Sequence, residues 1–226
     1  MRKFYSATIL SILLVFSASA FASSGELLNF QYLGNMQQIG NFYDGGGLSS
    51  TPNYGITFSS NFYGLRSTAN GGAGNFAPTP VGTPAIFMAN SLSAPSGMQV
   101  TGMMNVAPGF SNGFSFYYTA GFALTQNETI TVWSGQNGTG TVLATITLSN
   151  NDGGCGAVAY CNWTSAGLSF TGTAHSVTFT GPSNQLGLAD LTVGGSTTAI
   201  PEPSSIYLLG TGLLGVSFSK IRRFFM

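Results

Sequence analysis

Charge is what this sequence has least of. Only 5% of its residues are Asp, Glu, Lys or Arg, and His175 is its one histidine. The few ions are unevenly placed: Arg2, Lys3, Lys220, Arg222 and Arg223 crowd the two ends. Between Ser23 and Ala199 a single base, Arg66, stands against Glu26, Asp44, Glu128, Asp152 and Asp190, a balance of +1 − 5 = −4. Phosphate binding needs clustered Lys and Arg to displace counterions, so nucleic acid is excluded as a partner. A Ser/His/Asp arrangement would have to use His175, and no nucleophile-elbow motif accompanies it. Glycoside hydrolysis needs two carboxylates across a cleft. The five acids offer members for such a pair but no spacing that selects one, so the chain is read as a non-enzyme, with a polysaccharide-active hydrolase as an alternative.

Long apolar runs are missing as well. After Arg2 and Lys3 the stretch Ile9 to Phe16 falls well short of the ~20 residues a spanning helix requires. It is followed by the small-residue series Ser17-Ala18-Ser19-Ala20-Phe21-Ala22, the pattern of a secretory signal peptide over residues 1–22 with cleavage after Ala22. Cysteine is confined to Cys155 and Cys161, in CGAVAYC. In an exported chain that even count predicts a disulfide closing a short loop. A two-cysteine metal site would lack ligands, since His175 belongs to no ligand-spaced cluster.

No stretch of residues 23–195 carries an apolar stripe of helical period. What is there is alternation of period two, broken by Gly, Asn and Pro. In ETITVWSGQNGTGTVLATITL, Ile130 and Val132 oppose Thr129, Thr131 and Trp133; beyond a turn at Gly135 and Asn137-Gly138, Val142, Ala144, Ile146 and Leu148 oppose Leu143, Thr145 and Thr147. That is a β-hairpin. GFSFYYTA, HSVTFTG, NYGITFSS and LGLADLTVGG read as further strands, and NGGAGNFAPTPVGTP (70–84) as a long surface loop. Seven or more short strands predict an all-β, two-sheet antiparallel β-sandwich of jelly-roll or immunoglobulin-like kind. Phe, Tyr, Val, Ile and Leu are plentiful enough to give it a core, and its polar surface is built from hydroxyls and amides.

Two kinds of surface are legible within that expectation. Trp163, Trp133, Tyr117, Tyr118, Tyr43 and Tyr63 are candidates to present rings to sugar faces, with Asn and Thr side chains as hydrogen-bond partners. Trp163, beside the expected disulfide, is the foremost of them. Thr129-x-Thr131, Thr145-x-Thr147, Thr171-x-Thr173 and Thr178-x-Thr180 each put two threonines on one strand face, as ice-binding surfaces do, a pattern that β-propensity alone also produces.

Residues 196–200 read as a linker, and 201–226 as a separate segment. Pro201-Glu202-Pro203 is stiff and extended. The run Ser204 to Ser219 would make a helix of about 24 Å, marginal against a hydrocarbon core of ~30 Å. Gly210, Gly212 and Gly215 weaken it as a soluble helix. Lys220, Arg222 and Arg223 favour the cytoplasmic side, which leaves the domain outside and Met226 inside.

Pro201-Glu202-Pro203, the Gly-interrupted apolar run and the Arg-containing end together resemble a PEP-CTERM sorting signal of bacterial surface proteins. The resemblance implies an exosortase as partner, passage through the inner membrane with a transient anchor, cleavage near Pro-Glu-Pro, and delivery to the cell surface or extracellular matrix. Pro201, Glu202, Pro203, Arg222 and Arg223 would be recognised residues, not catalytic ones. NFQYLGNMQQIGNFYDGGGLSSTPNYGITFSS, MNVAPGFSNGFSFYYTA, VWSGQNGTGTVLATITL and NQLGLADLTVGG are similar to segments of uncharacterised β-sandwich proteins that carry such tails. This implies a fold and no established activity. Lectin-like sandwiches of related build often hold a structural Ca²⁺ between their first and last strands. By that likeness Asp190 and Asp44 are the candidate ligands, although Gln31 stands where an acid is common; no other cofactor is expected. The role implied is structural or adhesive within an exopolysaccharide layer.

Overall fold

The computed structural model describes residues 25–93, 95–121, 128–155 and 160–195. The expected signal peptide, the linker and the C-terminal segment with its membrane helix at 204–219 lie outside the described residues. No helix among the described residues is long and apolar enough to cross a membrane.

Every pairing between the strands of the described chain is antiparallel. Its strands are β1 (Glu26–Leu28), β2 (Ile56–Phe58), β3 (Phe62–Leu65), β4 (Ala85–Met88), β5 (Gln99–Ala120), β6 (Glu128–Trp133), β7 (Val142–Leu148), β8 (Thr164–Pro182) and β9 (Leu186–Val193). Two of them correct the expectation of uniformly short strands, for β5 has 22 residues and β8 has 19. These two pair along nearly their whole length, from Gln99 opposite Pro182 to Tyr118 opposite Thr164, and they bend together where the register shifts between Asn105 and Asn112. Gly109, Asn112 and Gly172 take positive φ at that bend, which lets both strands turn a corner without losing their partner. The two separate sheets expected are therefore one continuous sheet, in the order β3-β4-β9-β5-β8-β6-β7, folded over at this corner.

Folding makes two layers. The first holds β2, the leading half of β5, the trailing half of β8, β6 and β7; the second holds the other halves of β5 and β8 with β9, β4, β3 and β1. The inner faces carry the alternating residues read from the sequence. Phe114, Phe116 and Tyr118 on β5 meet Ile130 and Val132 on β6 and Val177 and Phe179 on β8, all buried. Phe114 stands edge-on to Phe179 across the layers, with ring centroids 6.0 Å apart. Burial of such rings, each worth about 1.5–3 kcal/mol, offsets the ordering of a loop-rich chain.

β9 also fixes where the chain enters and leaves. β1 pairs with its far end, Glu26 opposite Val193 and Leu28 opposite Leu191, while β5 and β4 pair with its beginning at Leu186 to Leu188. The first and last described residues, Gly25 and Gly195, thus lie side by side at one end of the domain.

A candidate binding cleft on the outer face of the second layer

Around β3 and β4 the second layer is apolar on its outer face as well. Its outer face carries Leu65 and Tyr63 from β3, Ala85 and Phe87 from β4 with Ala89 just after that strand, and Gly187 from β9. Tyr63, Phe87 and Ala89 form a small second core of their own. The loop 70–84 and the segment before β8 fold over part of this face and leave a cleft of about 300 Å³. Phe87 and Leu65 help form its floor, and Phe76, Tyr160 and Trp163 its aromatic walls.

Local hydrogen bonds hold those walls. Trp163 Nε1 donates to the Ala77 carbonyl at 3.0 Å, and the Phe76 ring meets Trp163 edge-on at 5.9 Å between centroids. Phe76 and Tyr160 form an isolated bridge, with Ala77 N donating to the Tyr160 carbonyl at 2.8 Å. Tyr160 Oη donates to the Asn184 carbonyl at 3.1 Å, at the turn that opens β9. The Cys155–Cys161 disulfide is formed, with 5.3 Å between Cα atoms, and anchors the segment carrying Tyr160 and Trp163.

Asn75, Asn184, Gln185 and Thr119 add polar groups to the lining. Thr119 Oγ1 is buried with no hydrogen-bond partner among the described residues. Among the described residues no carboxylate, histidine, cysteine, lysine or arginine lines the cleft; the walls they form can bind a neutral molecule but offer no strong acid or base at neutral pH. Burial raises the Tyr160 phenol above its ordinary range, helped by the charges of Glu128 and Asp152, and keeps it a neutral donor.

Of the rings singled out in the sequence, only Trp163 lines the cleft. Tyr117 is half-buried on the same layer, paired with Ser165 and Ala189. Trp133 lies on the opposite layer, where its Nε1 donates to Thr178 Oγ1 at 2.9 Å. Tyr43, Tyr63 and Tyr118 are buried and present no face to solvent. The Tyr43 hydroxyl accepts from Phe30 N at 2.8 Å, and desolvation pushes its pKa up to about 12. Phe76, Phe87 and Tyr160 were not singled out. An aromatic inside a Gly/Pro-rich loop and another between two cysteines were the available signals for Phe76 and Tyr160.

The two aspartates offered for calcium differ in setting. Asp190 is buried on β9 at positive φ, where the β5 register slips; it sits in a bulge, not on a turn. Its Oδ1 accepts from Thr83 Oγ1 at 3.0 Å, and Oδ2 is buried without a partner among the described residues. Desolvation raises its pKa despite the Thr83 bond. Asp44 is exposed on the turn after Tyr43. Among the described residues no group of three or more His, Cys, Asp or Glu gathers. One orphan oxygen on Asp190 does not make the six to eight oxygens that Ca²⁺ takes, and no step of function is routed through that ion.

Comparison with known proteins adds a C-terminal motif and a resemblance of fold. No curated protein matches the chain. Among solved structures, the carbohydrate-binding module CBM6cm-2 of Cellvibrio mixtus lichenase 5A, in complex with cellotriose, is similar over 61% of this chain and 88% of that one, at 13% identity and TM-score 0.31. The K1 cleaved adhesin domain of Lys-gingipain from Porphyromonas gingivalis W83 is similar over 62% and 98%, at 9% identity and TM-score 0.39. The family 11 carbohydrate-binding module of Clostridium thermocellum is similar over 63% and 85%, at 10% identity and TM-score 0.33. These likenesses concern β architecture alone. The C-terminus is matched more specifically: residues 199–223 fit the PEP-CTERM protein-sorting motif, so this chain carries that signal directly behind its β domain.

Proposed function

We propose that the protein is exported, held briefly in the inner membrane by its C-terminal segment, cut near Pro201-Glu202-Pro203 by an exosortase, and deposited at the cell surface or in the extracellular matrix as a neutral-glycan-binding or adhesive component. The sorting motif supports the itinerary. The observation that carries the binding role is the cleft itself, an uncharged recess with aromatic walls, amide side chains and the orphan hydroxyl of Thr119. Sugar rings present one apolar face and a rim of hydroxyls, and rings plus amides answer both. Polarity within the fold fits the role. The cleft takes in Leu186 and Gly187 at the start of β9, while the sorting signal follows the other end. Along a strand of 8 residues the start and end of β9 are separated by about 25 Å, which supports a cleft lying apart from the strand end that leads to the sorting signal.

The test is retention of the exported protein on neutral exopolysaccharide and on glycan arrays. Wild-type protein is retained, and Trp163→Ala, which removes one wall, weakens retention tenfold or more, on the order of 1.4 kcal/mol or above. Equal retention of both proteins, or none by the folded wild type, refutes the reading.

A further inference from the structure

The outer face of the first layer holds a second surface of different chemistry. Strand pairing sets Thr101, Thr180, Thr129 and Thr147 directly opposite one another across β5, β8, β6 and β7. Two residues along, Met103, Thr178, Thr131 and Thr145 form a parallel row. No register shift interrupts either row. Three of the four Thr-x-Thr pairs in the sequence are thereby brought onto one face; Thr171 and Thr173 lie apart from it, in the part of β8 that bends. Neighbouring strands lie about 4.8 Å apart and alternate residues about 6.8 Å, so the array is a two-dimensional lattice some 14 Å wide.

We propose that this threonine lattice is an ice-binding face, whose ligand is the ordered water at the surface of an ice crystal. Each lattice point other than Met103 offers the same pair of groups, a hydroxyl and a methyl, at repeats comparable with those of oxygen atoms on the faces of hexagonal ice. No point is charged, so no side chain orients nearby water about itself. β-Branching restricts each χ1, and cross-strand bonds restrict it further. Thr101 Oγ1 and Thr180 Oγ1 are 3.0 Å apart, and Thr145 Oγ1 donates to Thr131 Oγ1 at 3.3 Å. A hydroxyl has one proton and two lone pairs, so each keeps capacity for water after its cross-strand bond.

The β6–β7 loop closes one side of the lattice. Asn137 exchanges two hydrogen bonds with Asn105, Gly138 N donates to Ser176 Oγ, and the loop reaches Thr178. The row from Thr101 to Thr147 stays clear of these contacts, and Thr101, Thr145 and Thr147 are exposed. Among the described residues a glycan would find repeated hydroxyls but only Trp133 as a ring, and that indole is bound to Thr178. A second protein copy would find Met103 in the array and Trp133 and Val142 at its rim, not the contiguous apolar centre that stable interfaces contain.

The test grows ice slowly from a dilute solution of the exported protein and measures its partition into the solid, together with recrystallisation of fine ice in its presence. Wild-type protein is expected to enter the ice several-fold above an unrelated protein of equal size and to arrest grain growth. Thr129→Tyr, at the middle of the first row, falls to background with its melting transition kept. Thr147→Lys on the edge strand repeats the measurement should the central substitution disturb folding. Thr171→Tyr, off the lattice, and Trp163→Ala, in the cleft, partition as wild type does. Exclusion of wild-type protein from ice overturns the proposal, and so does undiminished partition of both folded lattice variants. Neither outcome bears on glycan retention, which reads the cleft.

Discussion

Phe62 of β3 meets Phe179 of β8 edge-on, with ring centroids 5.3 Å apart and planes at 83°. This contact ties the edge of one layer to the middle of the other. Its room comes from Gly102 on β5, which pairs with Phe179; a Cβ there would run into the Phe62 ring and into Met88 Sδ.

Gly102→Val is therefore expected to destabilise the domain by about 1–3 kcal/mol through overpacking, although valine is the better strand former. Denaturant unfolding reads the loss as a lower midpoint with unchanged slope. An unchanged midpoint would show that the Phe62–Phe179 contact is not what orders the layers.

Stability should fall as pH rises. Glu128 is fully buried on β6, neither of its oxygens has a partner among the described residues, and desolvation raises its pKa from 4.5 to about 8. Between those values the folded state keeps a proton that the unfolded state has lost. The stabilisation is complete below about pH 4.5, declines up to about pH 8, and is flat above, a change on the order of a few kcal/mol. Asp190, also raised by burial, acts in the same direction. Glu128→Gln, which mimics the protonated acid, should remove most of the slope in unfolding midpoints measured from pH 5 to pH 9.

Replacing both cysteines by serine opens the loop between Cys155 and Cys161. A loop this short contributes about 2 kcal/mol by chain entropy. Because Tyr160 and Trp163 flank Cys161, glycan retention should weaken along with the melting temperature, whereas ice partition, which reads the other layer, should not change at temperatures where the protein stays folded.

Intact mass of the protein recovered outside the cell checks the itinerary. The expected species begins at Ser23, lacks Arg222 and Arg223, and is two mass units lighter than its reduced form. A species retaining the apolar run and the arginines would refute cleavage near Pro201-Glu202-Pro203.

Much of this architecture was legible wherever a strand has one wet face. Ile130 and Val132 against Thr129 and Thr131 announce β6, because alternation records which side meets water. The lengths of β5 and β8 are not legible, because Gly and Pro within a strand carry the same signal as those between strands; Gly109 and Gly172 fall where both strands bend without parting. Nor could alternation separate Tyr43 or Tyr63 from exposed rings. Their burial depends on layers and loops brought over them from elsewhere in the sequence. The place of Trp163 beside Cys161 is legible in the sequence, while the meeting of Phe76 and Tyr160 with it is not, because the cleft is assembled by long-range contacts. The threonine pairs were visible strand by strand; their alignment into rows depends on pairings between residues as far apart as Thr101 and Thr180.

The position of β9 also has a mechanical meaning. Were the cut chain end transferred to a surface anchor, a pull between that anchor and a ligand held in the cleft would load the domain along this one strand. β9 is bonded to β4 and β5 near its beginning and to β1 and β5 near its end, and those bonds lie across the direction of pull. They would have to shear together instead of peeling singly, so the domain would resist tension best along the axis on which an adhesin is stretched.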